Sequence, residues 1–144
     1  MRYPVKYVKG LSEKDKLTHK KEMDRRKKAW KERKFDAFRE HKPRKLESYR
    51  HKKSPWVQQF HRLYPRTPLT KASAIRDEFG VRVSEQATIL KKGMGAYMSS
   101  GSRPGQTGRS WALARLASVL LGGPACTYDL PKAKCAALAR RRIR

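Results

Sequence analysis

The sequence predicts a mainly α-helical protein, with a small three-helix domain, a long basic N-terminal helix or arm, and an extended connector. Residues 11–41 contain neither Pro nor Gly and place opposite charges at helical spacing. Residues 43–69 are rich in Pro and aromatic residues. Three short apolar-periodic segments with Gly stops follow. The predicted segments are 1–42 (basic arm), 43–69 (connector), 70–123 (small helical domain) and 124–144 (basic C-terminal tail).

The N-terminal segment is predicted to begin as extended chain, over residues 1–10, and then to start a helix. Ser12 is a good N-cap, and Glu13 and Asp15 stand in the first turn, where the helix dipole favours acids. Pro43 would end a helix of about 28 residues. Its sparse apolar residues form no stripe of the kind a core-facing helix requires. We expect a rod lying against a partner, or a basic arm that orders on binding.

The connector carries four prolines interleaved with aromatic and basic residues. Ser54 and Pro55 are expected to open a short helix that runs to about Leu63. The rest of the segment reads as extended chain. This composition predicts a strap across a surface more than a floppy linker.

In the small domain, Thr70 is expected to cap a helix stopped by Gly80. Ser84 would start a second helix, which the Gly93-Met94-Gly95 run breaks, and Ser110 would cap a third. The predicted core consists of apolar residues from these three helices: Ile75, Phe79, Ile89, Leu90, Trp111, Leu113, Leu116, Val119 and Leu120. A core this small is marginal, so support from the arms or a partner is expected.

The charge of the chain is its strongest functional signal. Its 37 Lys and Arg outnumber its 12 Asp and Glu, for a formal net charge of +25 spread over both halves. Such a charge favours a polyanion, an acidic protein surface or an anionic membrane as partner. The C-terminal Arg run is either a polyanion hook or a solvated tail. The residues predicted to contact nucleic acid or another anion are Arg25, Arg26, Lys27, Lys28, Arg103, Arg140, Arg141 and Arg142.

Two local patterns in the small domain have both a functional and a structural interpretation. The first two helices are spaced like a helix-turn-helix, whose second helix would present Gln86 as an adenine reader. Helix pairs of this kind are equally typical of packing in small α domains. The polar loop 99–108 completes no dinucleotide or phosphate-loop pattern, and is expected to serve either anion contact or a packing turn.

Catalysis, cofactors and metals find little support. All four His lie in the first half of the chain, while residues after 64 contain only four acids, so we expect no enzyme and no cofactor. Cys126 and Cys135 lack the further ligands of a metal site. They are expected to be free thiols, with a disulfide as the alternative. The apolar run 111–121 is interrupted by Arg115, so no membrane insertion is expected.

Three motifs in order, the run Lys92-Gly93-Met94-Gly95-Ala96-Tyr97, the loop 99–104 and the helix 110–120, resemble a small uncharacterised domain of large DNA viruses. That domain recurs in phycodnaviruses, in other large DNA viruses of eukaryotes and in some large phages. Its pattern is Gly-x-Gly-Ala-Tyr, a polar loop, and Ser-x-Trp-Ala-x-Ala-Arg, from which this chain departs in that Ser110 directly precedes Trp111. The resemblance covers about residues 68–123 and brings no established activity or site with it.

The resemblance implies a structural virion protein, a minor capsid or cement component that bridges the major capsid protein and other minor capsid proteins. It would be found in the capsid, and in the host cytoplasm or nucleus during assembly. Viral DNA is a further expected partner. The alternative function is nucleic-acid binding without sequence preference, for DNA packaging or RNA binding. Aromatic residues of the arm and connector would anchor the protein partner: Trp30, Phe35, Phe38, Trp56, Phe60 and Tyr64.

Overall fold

The computed structural model of the chain describes residues 3–34, 45–50 and 54–143, with side chains to residue 141. The predicted anchors Phe35 and Phe38 and the side chain of Arg142 lie outside this part. The prediction of a mainly α-helical fold is confirmed. A 3-10 turn at Val5–Tyr7 precedes the α-helices, which are α1 (Glu13–Lys31), α2 (Pro55–Leu63), α3 (Ala72–Phe79), α4 (Val83–Ser99), α5 (Gly108–Leu120), α6 (Cys126–Asp129) and α7 (Lys132–Ile143).

The chain folds as two compact units. Unit 1 comprises Met1–Lys52 and Gly93–Trp111, and unit 2 comprises Lys53–Lys92 and Ala112–Arg144. Helices α4 and α5 each supply residues to both units. The bounds of the two units therefore differ from those of the predicted segments, because residues 70–123 are divided between the units.

Helix α1 starts where the sequence predicts. The Ser12 Oγ accepts a hydrogen bond from the Asp15 N–H at 3.2 Å. The helix ends at Lys31, well before the predicted stop at Pro43. Arg33 adopts a left-handed φ of 60°, and the Lys34 N–H bonds to the Ala29 carbonyl at 2.8 Å, as in a Schellman motif. A residue other than Gly at the left-handed position gives no sequence signal for this stop.

The apolar core of unit 2 confirms most of the predicted core. Six of the nine predicted residues are buried there, and Leu90 and Leu113 pack against them. Trp111 instead packs in unit 1, beside Tyr97. Phe60 and Leu69 from the connector, and Leu130 and Leu138 from the tail, complete the unit 2 core. The tail and the part of the connector from Ser54 onward are thus structural parts of unit 2.

The glycines of the middle segment act differently from one another. Gly80 ends α3 in a left-handed conformation with a φ of 68°, as predicted. The predicted break at Gly93–Gly95 is wrong, since α4 continues through these residues to Ser99. A Cβ atom at Gly95 would lie 3.1 Å from the Trp30 ring. Glycine at this position permits close side-chain approach to the helix.

Helix α5 starts two residues before the predicted cap at Ser110. The Thr107 Oγ1 accepts a hydrogen bond from the Ser110 N–H at 3.0 Å, and the Ser110 Oγ accepts one from the Thr107 N–H at 2.9 Å. This reciprocal pair is a capping box. Ser110 therefore stabilises the helix start from inside the first turn.

The two cysteines form a disulfide, which corrects the expectation of free thiols. Cys126 in α6 is bonded to Cys135 in α7, with Cα atoms 5.8 Å apart. Both residues are buried in the unit 2 core. The turn at Leu130–Pro131 folds α7 back onto α6, a reversal that cysteine spacing alone does not reveal.

Reduction of this disulfide is expected to lower the free energy of unfolding of unit 2 by about 2 to 3 kcal/mol, since the closed loop is short. The measurement is urea unfolding followed by circular dichroism, with and without dithiothreitol. A Cys126→Ala/Cys135→Ala variant serves as the control and should not respond to the reductant. Equal midpoints for the oxidised and reduced wild-type chain would contradict this expectation.

Candidate binding surfaces

Helix α1 buries a polar stripe. Its buried residues lie on one side of the helix, and four of the six are polar or charged: Asp15, His19, Glu22 and Arg26, with Met23 and Ala29. The outward face is basic, and its exposed cations are Lys14, Lys20, Lys21, Arg25, Lys28 and Lys31. One face of the helix therefore buries polar and charged side chains, and the opposite face exposes Lys and Arg. Its apolar residues form no continuous stripe.

A network around Arg26 holds the inward face of α1 in unit 1. The Arg26 side chain is completely buried, and its guanidinium lies 3.9 Å from the centre of the Tyr97 ring. Its Nη1 donates to the Ser102 Oγ at 3.0 Å. The His19 Nε2 lies 2.8 Å from the Ser102 carbonyl; because a carbonyl oxygen only accepts, Nε2 carries a proton and donates it. The prediction that Arg26 contacts nucleic acid is wrong, since it is inaccessible.

Burial also changes the acid–base properties of this network. It lowers the pKa of His19 below its usual value of 6.5, and the positive charge of Arg26 acts in the same direction. The hydrogen bond to Ser102 and the charge of Glu22 oppose this shift. Burial raises the pKa of Tyr97. The network is therefore most stable with an uncharged imidazole and phenol beside the Arg26 cation.

The outward face of α1 is rich in exposed cations, and we call it the α1 basic face. It extends from Lys14 to Lys31, about 26 Å along the helix axis. Asp24, the acid on this face, accepts a hydrogen bond from the Tyr3 hydroxyl at 2.6 Å. Arg25 and Lys28 are exposed on it, whereas Lys27 is half-buried. The predicted cation cluster 25–28 is thus divided between the surface and the interior.

The acids of the described residues are mostly engaged within the chain. Asp15 accepts from the Ser48 N–H at 2.9 Å. Six others form ion pairs with Lys or Arg: Glu13, Glu32, Asp77, Glu78, Glu85 and Asp129. An external anion therefore meets many more uncommitted cations than carboxylates on this protein.

The proposed base-reading residues of α4 serve internal bonds. Gln86 is buried, and its Nε2 donates to the carbonyls of Ala72 and Val81, each at 3.0 Å. The Glu85 carboxylate accepts from the Arg82 N–H at 3.0 Å. The interpretation of Gln86 as an adenine reader is therefore wrong, because its amide is committed to joining α3 to α4.

Three of the predicted anchors belong to unit 2 itself. Phe60 is completely buried, Trp56 packs against the same core, and the Tyr64 ring lies 5.3 Å from Phe60 and 4.8 Å from Phe79. Phe60 cannot enter a partner's pocket without opening this core. Trp30 is 38% exposed at the end of α1 and contacts unit 1 residues around Gly95.

A groove in unit 2 brings together residues that the sequence had placed in separate segments. It has a volume of about 590 Å³ and is lined by Leu63, Tyr64, Ala137, Arg140 and Arg141. We call it the α2–α7 groove. Its aromatic side comes from the end of α2 and its cations from the last turns of α7. Arg103, by contrast, is exposed in the α4–α5 loop of unit 1.

Residues of the three sequence motifs, 92–97, 99–104 and 110–120, have structural roles. Tyr97 lies under Arg26, and Ser110 completes the capping box. Arg115 holds the buried Asp129 carboxylate with two hydrogen bonds of 2.9 and 3.0 Å, and Lys92 adds a third at 3.1 Å. Although burial opposes it, these donors lower the pKa of Asp129. The motifs thus encode the fold of the chain.

A family model matches residues 4–134, most of both units, and its description is a family of unknown function, DUF5824. The chain belongs to this family. No curated protein and no solved structure matches it. Among the described residues, no group of three or more His, Cys, Asp or Glu is placed to hold a metal ion. Within the same part of the chain, no helix combines the length and apolar character needed to cross a bilayer.

Acidification is expected to destabilise unit 1 through His19. Its folded-state pKa lies below 6.5, so the unfolded chain binds more protons than the folded chain below that pH. The free energy of unfolding should therefore fall as the pH drops from about 7 to about 5. Urea unfolding at several pH values measures this.

A His19→Gln variant keeps a donor for Ser102 without titrating, and is the matched control. Its stability should change little over the same pH window. Asp15, Glu85 and Asp129 also have lowered pKa values. The stability that these carboxylates contribute is lost only at lower pH, when they become protonated. A wild-type slope identical to that of the variant would exclude His19 as the cause.

Proposed function

We propose that the protein is a non-catalytic binding protein that holds the phosphate backbone of nucleic acid on the α1 basic face, without reading base sequence. The observation that carries this proposal is the separation of charge on α1. Six exposed cations share the outward face, while the polar residues of the inward face are internal. Lys and Arg on an exposed helix contact phosphates and release counterions from the nucleic acid.

Two further features support backbone binding over base reading. The amide of Gln86 and the carboxylate of Glu85 are engaged in internal hydrogen bonds, so these two side chains at the start of α4 are not free to contact bases. The α1 basic face is rich in Lys, which acts as a point charge toward phosphate. Phosphate contacts fix position on a nucleic acid and carry no sequence information directly.

A place in a virion is the second candidate, and the resemblance to domains of large DNA viruses supports it. An internal capsid component that faces the genome would use the same α1 basic face. In this proposal the major capsid protein and other minor capsid proteins are additional partners. Leu17 is an exposed apolar side chain on α1, and it would contribute apolar surface to such an interface.

Binding to a duplex DNA of random sequence should be strongly dependent on salt. Lys21→Gln/Arg25→Gln/Lys28→Gln removes three outward cations and should weaken binding about tenfold or more, with the slope of log affinity against log salt reduced by about 0.9 per lost contact. The control variant Lys71→Gln/Lys91→Gln/Lys132→Gln removes three exposed cations from unit 2. Fluorescence anisotropy measures both.

Variants of the adjacent residues Arg25 and Arg26 distinguish an effect on DNA binding from an effect on folding. Arg25→Gln should weaken DNA binding with an unchanged melting temperature, whereas Arg26→Gln should lower the free energy of unfolding by about 2 kcal/mol or more, because a buried network loses its central donor. No DNA binding at near-physiological salt, or equal losses in the two triple variants, would refute the α1 basic face as the site.

The virion role predicts that the protein is present in purified virions of a virus that encodes it, at a constant ratio to the major capsid protein. Quantitative mass spectrometry of gradient-purified particles measures this. Its absence from particles, with abundant protein in infected cells, would rule out a structural virion role and leave nucleic-acid binding unaffected.

A further inference from the structure

We propose that the α2–α7 groove binds one unstacked nucleotide of a single-stranded nucleic acid, with a phosphate on Arg140 and the base against the Leu63–Tyr64 wall. This inference rests on the proposed function, because it takes nucleic acid as the ligand. It adds a second site, on unit 2, that distinguishes single strands from duplexes.

The shape of the groove fits a ligand smaller than a duplex. Its volume of about 590 Å³ lies within the range of small-molecule pockets. A duplex keeps its bases stacked inside and offers a groove of this kind only its phosphates. A single strand can instead turn a base outward into a concave site.

The aromatic wall of the groove is held rigid. The Arg141 guanidinium lies 4.9 Å from the centre of the Phe79 ring and 5.6 Å from that of Tyr64. Arg141 also donates to the carbonyl and the carboxylate of Glu78. Its charge is therefore matched within the protein, and its contacts fix Tyr64 in place beside Phe79.

Arg140 supplies the charge that a ligand would meet. It is exposed, lines the groove, and makes no ion pair within the part of the chain that the structure describes. A groove with an apolar aromatic wall on one side and an unmatched guanidinium on the other matches the two chemical parts of a nucleotide. Proteins that bind single strands combine these same elements, aromatic stacking and backbone cations.

An acidic peptide would also be attracted to Arg140, but it has no flat group for the Tyr64 wall. The observations therefore favour the nucleotide, and a base-dependent measurement separates the two. The probes are a fluorescent oligothymidylate, an abasic strand with the same number of phosphates, a duplex, and a polyglutamate peptide.

The full-length protein should bind oligothymidylate more tightly than the abasic strand, by roughly fivefold or more, since stacking of one base contributes measurably to affinity. Arg140→Gln should weaken the binding of both strands and lower the salt slope for oligothymidylate by about 0.7. Lys132→Gln, a charge-matched change on the same helix outside the groove, should leave the preference intact.

Tyr64→Phe keeps the ring and should bind as wild type, while Tyr64→Leu should lose the preference for the base. If Tyr64→Leu lowers the melting temperature, Arg140→Gln and the abasic strand still decide the question. Equal affinity for oligothymidylate and the abasic strand, or stronger competition by polyglutamate than by oligothymidylate, overturns the inference. Duplex binding that survives either result leaves the proposed function standing.

Discussion

The burial of Arg26 is the constraint on which unit 1 depends. A guanidinium is costly to remove from water; here it stacks on Tyr97 and donates from Nη1 to Ser102, while its Nε and Nη2 have no partner among the described residues. These partners come from the end of α4 and the loop that follows it. The interaction thereby specifies which face of α1 turns inward and which turn of the chain it meets, a task that apolar side chains perform in most helical proteins.

Which face of α1 is buried determines which charges lie on the protein surface. Once Asp15, His19, Glu22 and Arg26 face inward, most of the remaining Lys and Arg of the helix face outward. Repulsion among them is tolerated because water and counterions screen exposed charges. The basic face is therefore the geometric consequence of a polar interior, and a polyanion that neutralises it would relieve the repulsion.

Unit 2 is stabilised in a different way. Its core is apolar, and a disulfide joins α6 to α7 while Arg115 and Lys92 hold the buried Asp129. These links anchor the tail, whose last turns carry Arg140 and Arg141. The C-terminal cations thus extend from a fixed helix, and their positions beside Tyr64 follow from the packing of α7. The two proposed binding surfaces therefore lie on α1 and α7, and the opposite face of each helix is packed inside its own unit.

The sequence by itself determined the helical class, the start of α1 at Ser12, the stop of α3 at Gly80 and most of the unit 2 core, because caps and apolar periodicity are local signals. It also determined the excess of positive charge. Only the tertiary structure decided which charges are buried. Arg25 and Arg26 are adjacent residues of the same type, yet Arg25 is exposed and Arg26 is buried. The tertiary structure likewise decided that Gly95 lies within a helix, that Phe60 is core and that the cysteines meet. These outcomes depend on contacts between residues distant in the chain, which carry no signal in local composition or spacing.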